Sequence, residues 1–142
     1  MPRPPVSPEQ AHVLVVEDDP NNRLVAVKLL KVAGVPPQNV IEIDGDAAAY
    51  LRAHPPVKID LVLLDLQLPG KDGYAILGEL RADPELAGIP VVALTANVMR
   101  ADIARAQAAG FDGFIGKPID GRRFAEWIRR LLAGENVWTT IA

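Results

Sequence analysis

The sequence predicts a doubly wound α/β fold, a parallel sheet with helices on both faces. Three observations lead there. Short apolar runs alternate with helix-favouring segments along the 142 residues. The runs at 12–16, 59–64 and 90–94 are almost continuously apolar, which suits strands covered on both sides. Each apolar run gives way to polar residues, as loops at the carboxyl edge of such a sheet would require.

Pro2, Pro4, Pro5 and Pro8 crowd the first residues, so 1–10 reads as an extended, poorly ordered arm. His12-Val13-Leu14-Val15-Val16 is the first strand, stopped by Glu17-Asp18-Asp19. Asp19 is placed to cap a helix and Pro20 to occupy its first turn; the stripe Val25, Ala26, Leu29, Leu30, Ala33 follows, and Gly34 closes it. A weaker run, Val40–Ile43, is the second strand, and the Ala-rich 46–53 the second helix. Residues 59–64 form the third strand, ending at Asp65; 74–82 form the third helix, which stops before Asp83-Pro84. Residues 90–94 are the fourth strand, ending at Thr95, and 97–109 the fourth helix, with Gly110 in the position of a terminating glycine. Gly113-Phe114-Ile115 is a short fifth strand, followed by Lys117. The last helix is the clearest: Asp120 caps it, Phe124, Trp127, Ile128, Leu131 and Leu132 share one face, and Gly134 ends it.

Composition excludes several functions. Without cysteine there are no disulfides, thiolate metal sites or Cys nucleophiles. His12 and His54 are the only histidines, too few for a His-rich metal centre, and nothing pairs them with other ligands. A net charge of −3 and 5% aromatic residues argue against nucleic-acid binding. No apolar run approaches a membrane span and no signal peptide is evident, so the expected location is cytoplasmic, away from any membrane.

The topology brings Glu17, Asp18, Asp65, Thr95 and Lys117 to one crevice at the carboxyl ends of the strands. Three clustered carboxylates resist joint ionisation unless something neutralises them. Hard oxygen donors favour Mg²⁺, which retains waters and accepts phosphate oxygens. With a lysine and a hydroxyl beside them, the set is suited to phosphoryl transfer.

At these residues the sequence resembles the receiver domain of bacterial two-component response regulators, over roughly 11–133. The matching segments are Val15–Asp19, Leu63–Gly70 with Gly73, Ala93–Ala96 and Gly116–Ile119. The resemblance implies a flavodoxin-like sheet in the order 2-1-3-4-5 with five flanking helices. It implies that Asp65 accepts a phosphoryl group from a sensor histidine kinase or histidine phosphotransfer protein. Glu17, Asp18, Asp65 and the backbone carbonyl of Gln67 would hold Mg²⁺, Lys117 would bind the phosphoryl oxygens across a cis Lys117–Pro118 bond, and Thr95 and Phe114 would act as the switch pair. Phe114 lacks the ring donor or acceptor often found at its position. Asp19 leaves a second metal register, Asp18 with Asp19; the earlier pair abuts the apolar run and frees Asp19 for capping. The fourth helix, fifth strand and fifth helix often carry the output signal in receivers, and Ile103 is the candidate exposed position on that face.

The resemblance takes up nearly the whole chain, with receiver bounds of 11–134, so a stand-alone regulator is expected. Two rivals stand: a degenerate receiver acting as a phosphorylation-independent interaction module, and an aspartyl-phosphate phosphatase. The second needs an acid/base Asp where Gln67 stands. The tail at 135–142 carries Val137, Trp138 and Ile141, apolar groups with no place in a completed receiver. It should dock, on its own domain or, slightly preferred, across a homodimer.

Overall fold

The computed structural model describes residues 4–54 and 58–139. Six parallel strands form one sheet in the order β2-β1-β3-β4-β5-β6. The strands are β1 (Val13–Val16), β2 (Val40–Ile43), β3 (Leu61–Asp65), β4 (Val91–Thr95), β5 (Gly113–Gly116) and β6 (Val137–Trp138). Between them lie α1 (Pro20–Ala33), α2 (Ala47–Ala53), α3 (Gly73–Ala82), α4 (Arg100–Ala109) and α5 (Gly121–Leu132). The expected α/β class and 2-1-3-4-5 order are present, with one extra strand at the β5 edge.

Strand side chains alternate between two apolar layers. Val13, Val15, Leu61, Leu63, Val92, Leu94 and Ile115 pack with α1 and α5. Leu14, Val16, Val62, Leu64, Val91, Ala93 and Phe114 pack with α2, α3 and α4. The three central strands are buried at every position, which is why they read as unbroken apolar runs, whereas the edge strand β2 is only half-buried and reads weakly.

Two caps are as expected: Asp19 Oδ1 accepts the Asn21 N–H at 2.8 Å, and Asp120 caps α5. Asp46 and Asp72 cap α2 and α3 in the same way. Gly34 and Gly110 end α1 and α4 at φ of 107° and 103°.

Several expectations change. Residues 4–10 of the proline-rich arm are docked rather than poorly ordered: the Val6 N–H donates to Leu132 O at 2.8 Å, and Pro8–Gln10 form a single 3-10 turn. Val25 is 46% exposed, because α1 turns Ala26, Leu30 and Ala33 to the sheet instead. The fourth helix begins at Arg100 rather than 97, with the Met99 N–H satisfied by Asp102 Oδ2 at 3.1 Å. Met99, outside that first turn, is 74% exposed, whereas Ile103 and Ala106 face the sheet; Ile103 is core and is corrected as an exposed partner position. The tail folds back on its own chain, with Val137 only 3% exposed; Ile141 lies outside the described residues. No helix among the described residues is long and apolar enough to cross a membrane.

Candidate functional site

The strand register sets the site. Val16 pairs with Leu64, Asp65 with Leu94 and Thr95 with Gly116, so the residues that leave β1, β3, β4 and β5 emerge at one level. Glu17 continues the β1 ladder, its N–H donating to Ile43 O at 3.0 Å, which turns its side chain inward. Among the described residues, Glu17, Asp65 and Thr95 are the buried polar ones at 2%, 3% and 1% exposure, while Asp18 sits at the exposed mouth.

One carboxylate oxygen each from Glu17, Asp18 and Asp65 lies within 4.8 Å of the others. Asp19 takes no part in this trio, because its carboxylate caps α1. The Lys117 ammonium reaches between the acids, donating to Glu17 Oε2 at 2.9 Å and standing 3.3 Å from Asp65 Oδ1. Glu17 Oε1 accepts the Asp19 N–H, and Asp65 Oδ1 accepts the Gln67 N–H at 3.0 Å. The Lys117–Pro118 bond is cis, and the Lys117 N–H donates to Thr95 O at 2.8 Å.

The electrostatics match this arrangement. Burial pushes the Glu17 carboxyl above its ordinary value, and the Asp65 charge adds to that; the bonds from Lys117 and the Asp19 N–H offset only part of the effect. Burial alone would lower Lys117, but its bond to Glu17 and the charges of Asp65 and Glu17 hold it above the usual lysine range. One ammonium thus leaves three acids incompletely neutralised. An oxygen-only donor set with residual negative charge fits a hard divalent cation such as Mg²⁺.

Two features of the site were missed at the sequence level. The Gln67 side chain reaches back and donates from Nε2 to Thr95 Oγ1 at 2.6 Å, while the same oxygen accepts the Asn97 N–H at 3.0 Å. The signal available was an amide side chain two residues past Asp65, on the loop that must curl over it. Gly73 is required by space: a Cβ there would lie 2.6 Å from Leu66 Cδ2 and 3.1 Å from Asp65 O. Phe114 is fully buried, on the face of β5 that packs with α4.

Comparison with known proteins matches this geometry to a family. A family model described as the response regulator receiver domain matches residues 13–129. The chain belongs to the response regulator receiver family. The receiver is 36% identical over 121 residues to the polar-differentiation response regulator DivK of Brucella anthropi, covering 84% of this chain and 94% of that protein. It is 33% identical over 142 residues to the sensor protein GacS of Pseudomonas syringae pv. syringae, of which it spans 14%. Among solved structures it is similar to the receiver domain of the sensor histidine kinase PA1611 from Pseudomonas aeruginosa PAO1. That match has a TM-score of 0.70 and 29% identity, and covers 88% of this chain and 98% of the other. The PA1611 domain carries a magnesium ion coordinated in its active-site cleft. Receivers are signalling domains that work with histidine kinases, and the acidic cleft in which such domains bind Mg²⁺ is present here as the Glu17, Asp18 and Asp65 cluster.

Proposed function

We propose that Asp65 is the phosphoacceptor of this receiver and that its donor is a phosphohistidine on a sensor histidine kinase or histidine phosphotransfer protein. The observation that carries this is the setting of Asp65: a buried carboxylate held at Oδ1 by the Gln67 N–H and Lys117 Nζ, beside two further acids. In the transfer, an Asp65 oxygen bonds to phosphorus as the phosphorus–nitrogen bond breaks, and the electron pair returns to the donor imidazole. Lys117 keeps the acceptor oriented and meets the incoming charge as a point donor. Glu17 and Asp18, with Asp65 and the Gln67 carbonyl, are the groups that would hold Mg²⁺. The ion would supply charge compensation at the phosphoryl oxygens. Thr95 has a hydroxyl proton to give to the phosphoryl group once it leaves its present partners, and Phe114 fills the space behind it.

The phosphatase alternative is disfavoured by the Gln67 amide, which neither takes nor gives a proton near neutral pH and is bonded to Thr95. For the homodimer through the tail, Val137 gives no support, since it is covered in cis. Incubation with acetyl phosphate and Mg²⁺ should add one phosphoryl group to the intact protein, and Asp65→Asn or chelation of Mg²⁺ should prevent it. A folded wild type that stays unlabelled, with small donors and with phosphohistidine donors alike, leaves the interaction-module reading in its place.

A further inference from the structure

The segment after α5 holds the switch strand from outside. Val137 and Trp138 pair in parallel with Gly113 and Phe114. Val137 enters the layer formed by α1 and α5, and Trp138 packs on the opposite layer with Phe114, so this two-residue strand grips both sides of the sheet edge. Thr139 completes the attachment. Its N–H and hydroxyl both donate to Phe114 O, at 2.9 and 3.0 Å, and its Oγ1 accepts the Gly116 N–H at 3.1 Å. Gly113 permits the approach, because a Cβ there would lie 2.8 Å from Val137 O.

These anchors are the residues between which the site is strung. Gly116 pairs with Thr95 across β4 and β5, and the next N–H, that of Lys117, is bonded to Thr95 O. Lys117 is the lysine that stands against Asp65. From the Asp65 carboxylate to the Thr139 hydroxyl the path is one ion pair, the Lys117 side chain, one peptide unit and one hydrogen bond. A phosphoryl group that draws Thr95 and Lys117 toward Asp65 displaces the end of β5, and the Gly116 N–H with it.

We infer that residues 137–139 are an autoinhibitory strap on the β5 edge, closed while Asp65 is unmodified and released when Asp65 carries a phosphoryl group. Release uncovers the β5 edge and the side of Phe114 that the strap covers. This rests on Asp65 being the phosphoacceptor. Linkage makes the effect reciprocal: whatever loosens the strap favours the modified state.

The test is amide hydrogen exchange of the full chain, read by mass spectrometry over 113–117 and 135–139, with Mg²⁺ alone and with Mg²⁺ plus beryllofluoride. Intact mass after acetyl phosphate is measured in parallel. Protection of the 137–139 amides should drop at least tenfold in the beryllofluoride form and stay unchanged in Asp65→Asn. Thr139→Val, which removes both hydroxyl bonds, should bind beryllofluoride about fivefold more tightly at equilibrium, the scale of one ordinary hydrogen bond. Protein that gains a phosphoryl group while 137–139 stays protected overturns the strap and leaves the phosphoacceptor reading intact. Protein that gains none, from acetyl phosphate and from a phosphohistidine donor alike, overturns both. Thr139→Val with an unchanged beryllofluoride affinity overturns the reciprocal coupling.

Discussion

Arg81 is the side chain whose removal should hurt the fold most without touching the site. Its guanidinium donates four hydrogen bonds: Nη1 to Ala87 O at 3.0 Å and Ile89 O at 2.7 Å, Nη2 to Gly110 O at 2.9 Å and to Asp112 Oδ2 at 2.7 Å. It thus ties α3 to the loops that feed β4 and β5, and Asp112 in turn accepts the Val91 N–H at 2.9 Å. Charge-assisted bonds contribute about 1.5–3 kcal/mol each when well buried. Arg81 is 26% exposed at its side chain, and water replaces part of what is lost, so roughly 0.7 kcal/mol per bond is a fair allowance. Arg81→Ala should then destabilise by about 3 kcal/mol. For 142 residues, the unfolding entropy of about 0.3 kcal/mol per degree turns this into a fall in Tm of about 10 °C. Arg81→Lys should recover less than half, since an ammonium cannot reproduce the planar fork. Urea unfolding followed by circular dichroism measures both variants. The phosphoryl uptake of folded Arg81→Ala should match wild type, because the guanidinium lies at the amino ends of the strands, and β4 alone spans about 13 Å from Val91 to Thr95. A loss under 1 kcal/mol, or full rescue by lysine, refutes the reasoning.

Two further expectations concern the site. Gly73→Ala drives a Cβ to 3.0 Å from Leu66 Cα, which cannot rotate aside as its methyls can, so it should destabilise by about 1–3 kcal/mol and slow phosphoryl uptake; denaturant melts and intact-mass kinetics read both. Glu17 holds its proton to higher pH in the folded state than unfolded, so the stability it contributes is complete below its unfolded pKa and is lost as pH rises through the raised value. Mg²⁺ binding needs the carboxylate and should therefore weaken as pH falls through that same window, above the ordinary carboxylate range. Calorimetric Mg²⁺ titrations over a descending pH series should show this fall setting in above the range of an ordinary carboxylate, and Glu17→Gln should bind weakly throughout; a wild-type affinity that stays flat across the series refutes it.

What the sequence made legible was whatever depends on burial and short spacing. Strands covered on both faces appear as apolar runs, and Glu17, Asp65, Thr95 and Lys117 follow from where those runs stop. Asp19 could be separated from the metal pair because capping needs an acid directly before Pro20, and the structure puts its carboxylate there. Ile103 was misplaced because the face of a weakly amphipathic helix depends on where the helix starts; beginning at Arg100 turns Ile103 inward and strands Met99 outside. The tail announced only that Val137 and Trp138 needed cover. Whether cover comes in cis or from a second copy is decided by the free edge of β5 and by Gly113, a long-range relation that no local pattern encodes. The Arg81 hub and the Gln67–Thr95 bond are equally non-local, joining positions whose proximity exists only in three dimensions.

The division of the interior into two layers bears on how such a domain can change over generations. Side chains behind the sheet, on α1 and α5, and those in front, on α2, α3 and α4, are separated by a backbone ladder that fixes strand spacing whatever side chains are present. Substitutions in opposite layers share no partners, so their effects on stability should add, and a lineage can redraw one layer without first rewriting the other. β6 obeys the same alternation with a single side chain on each side, Val137 behind the sheet and Trp138 in front. Each of the two can therefore be redrawn with its own layer, and even this late addition to the sheet leaves the two halves free to change separately.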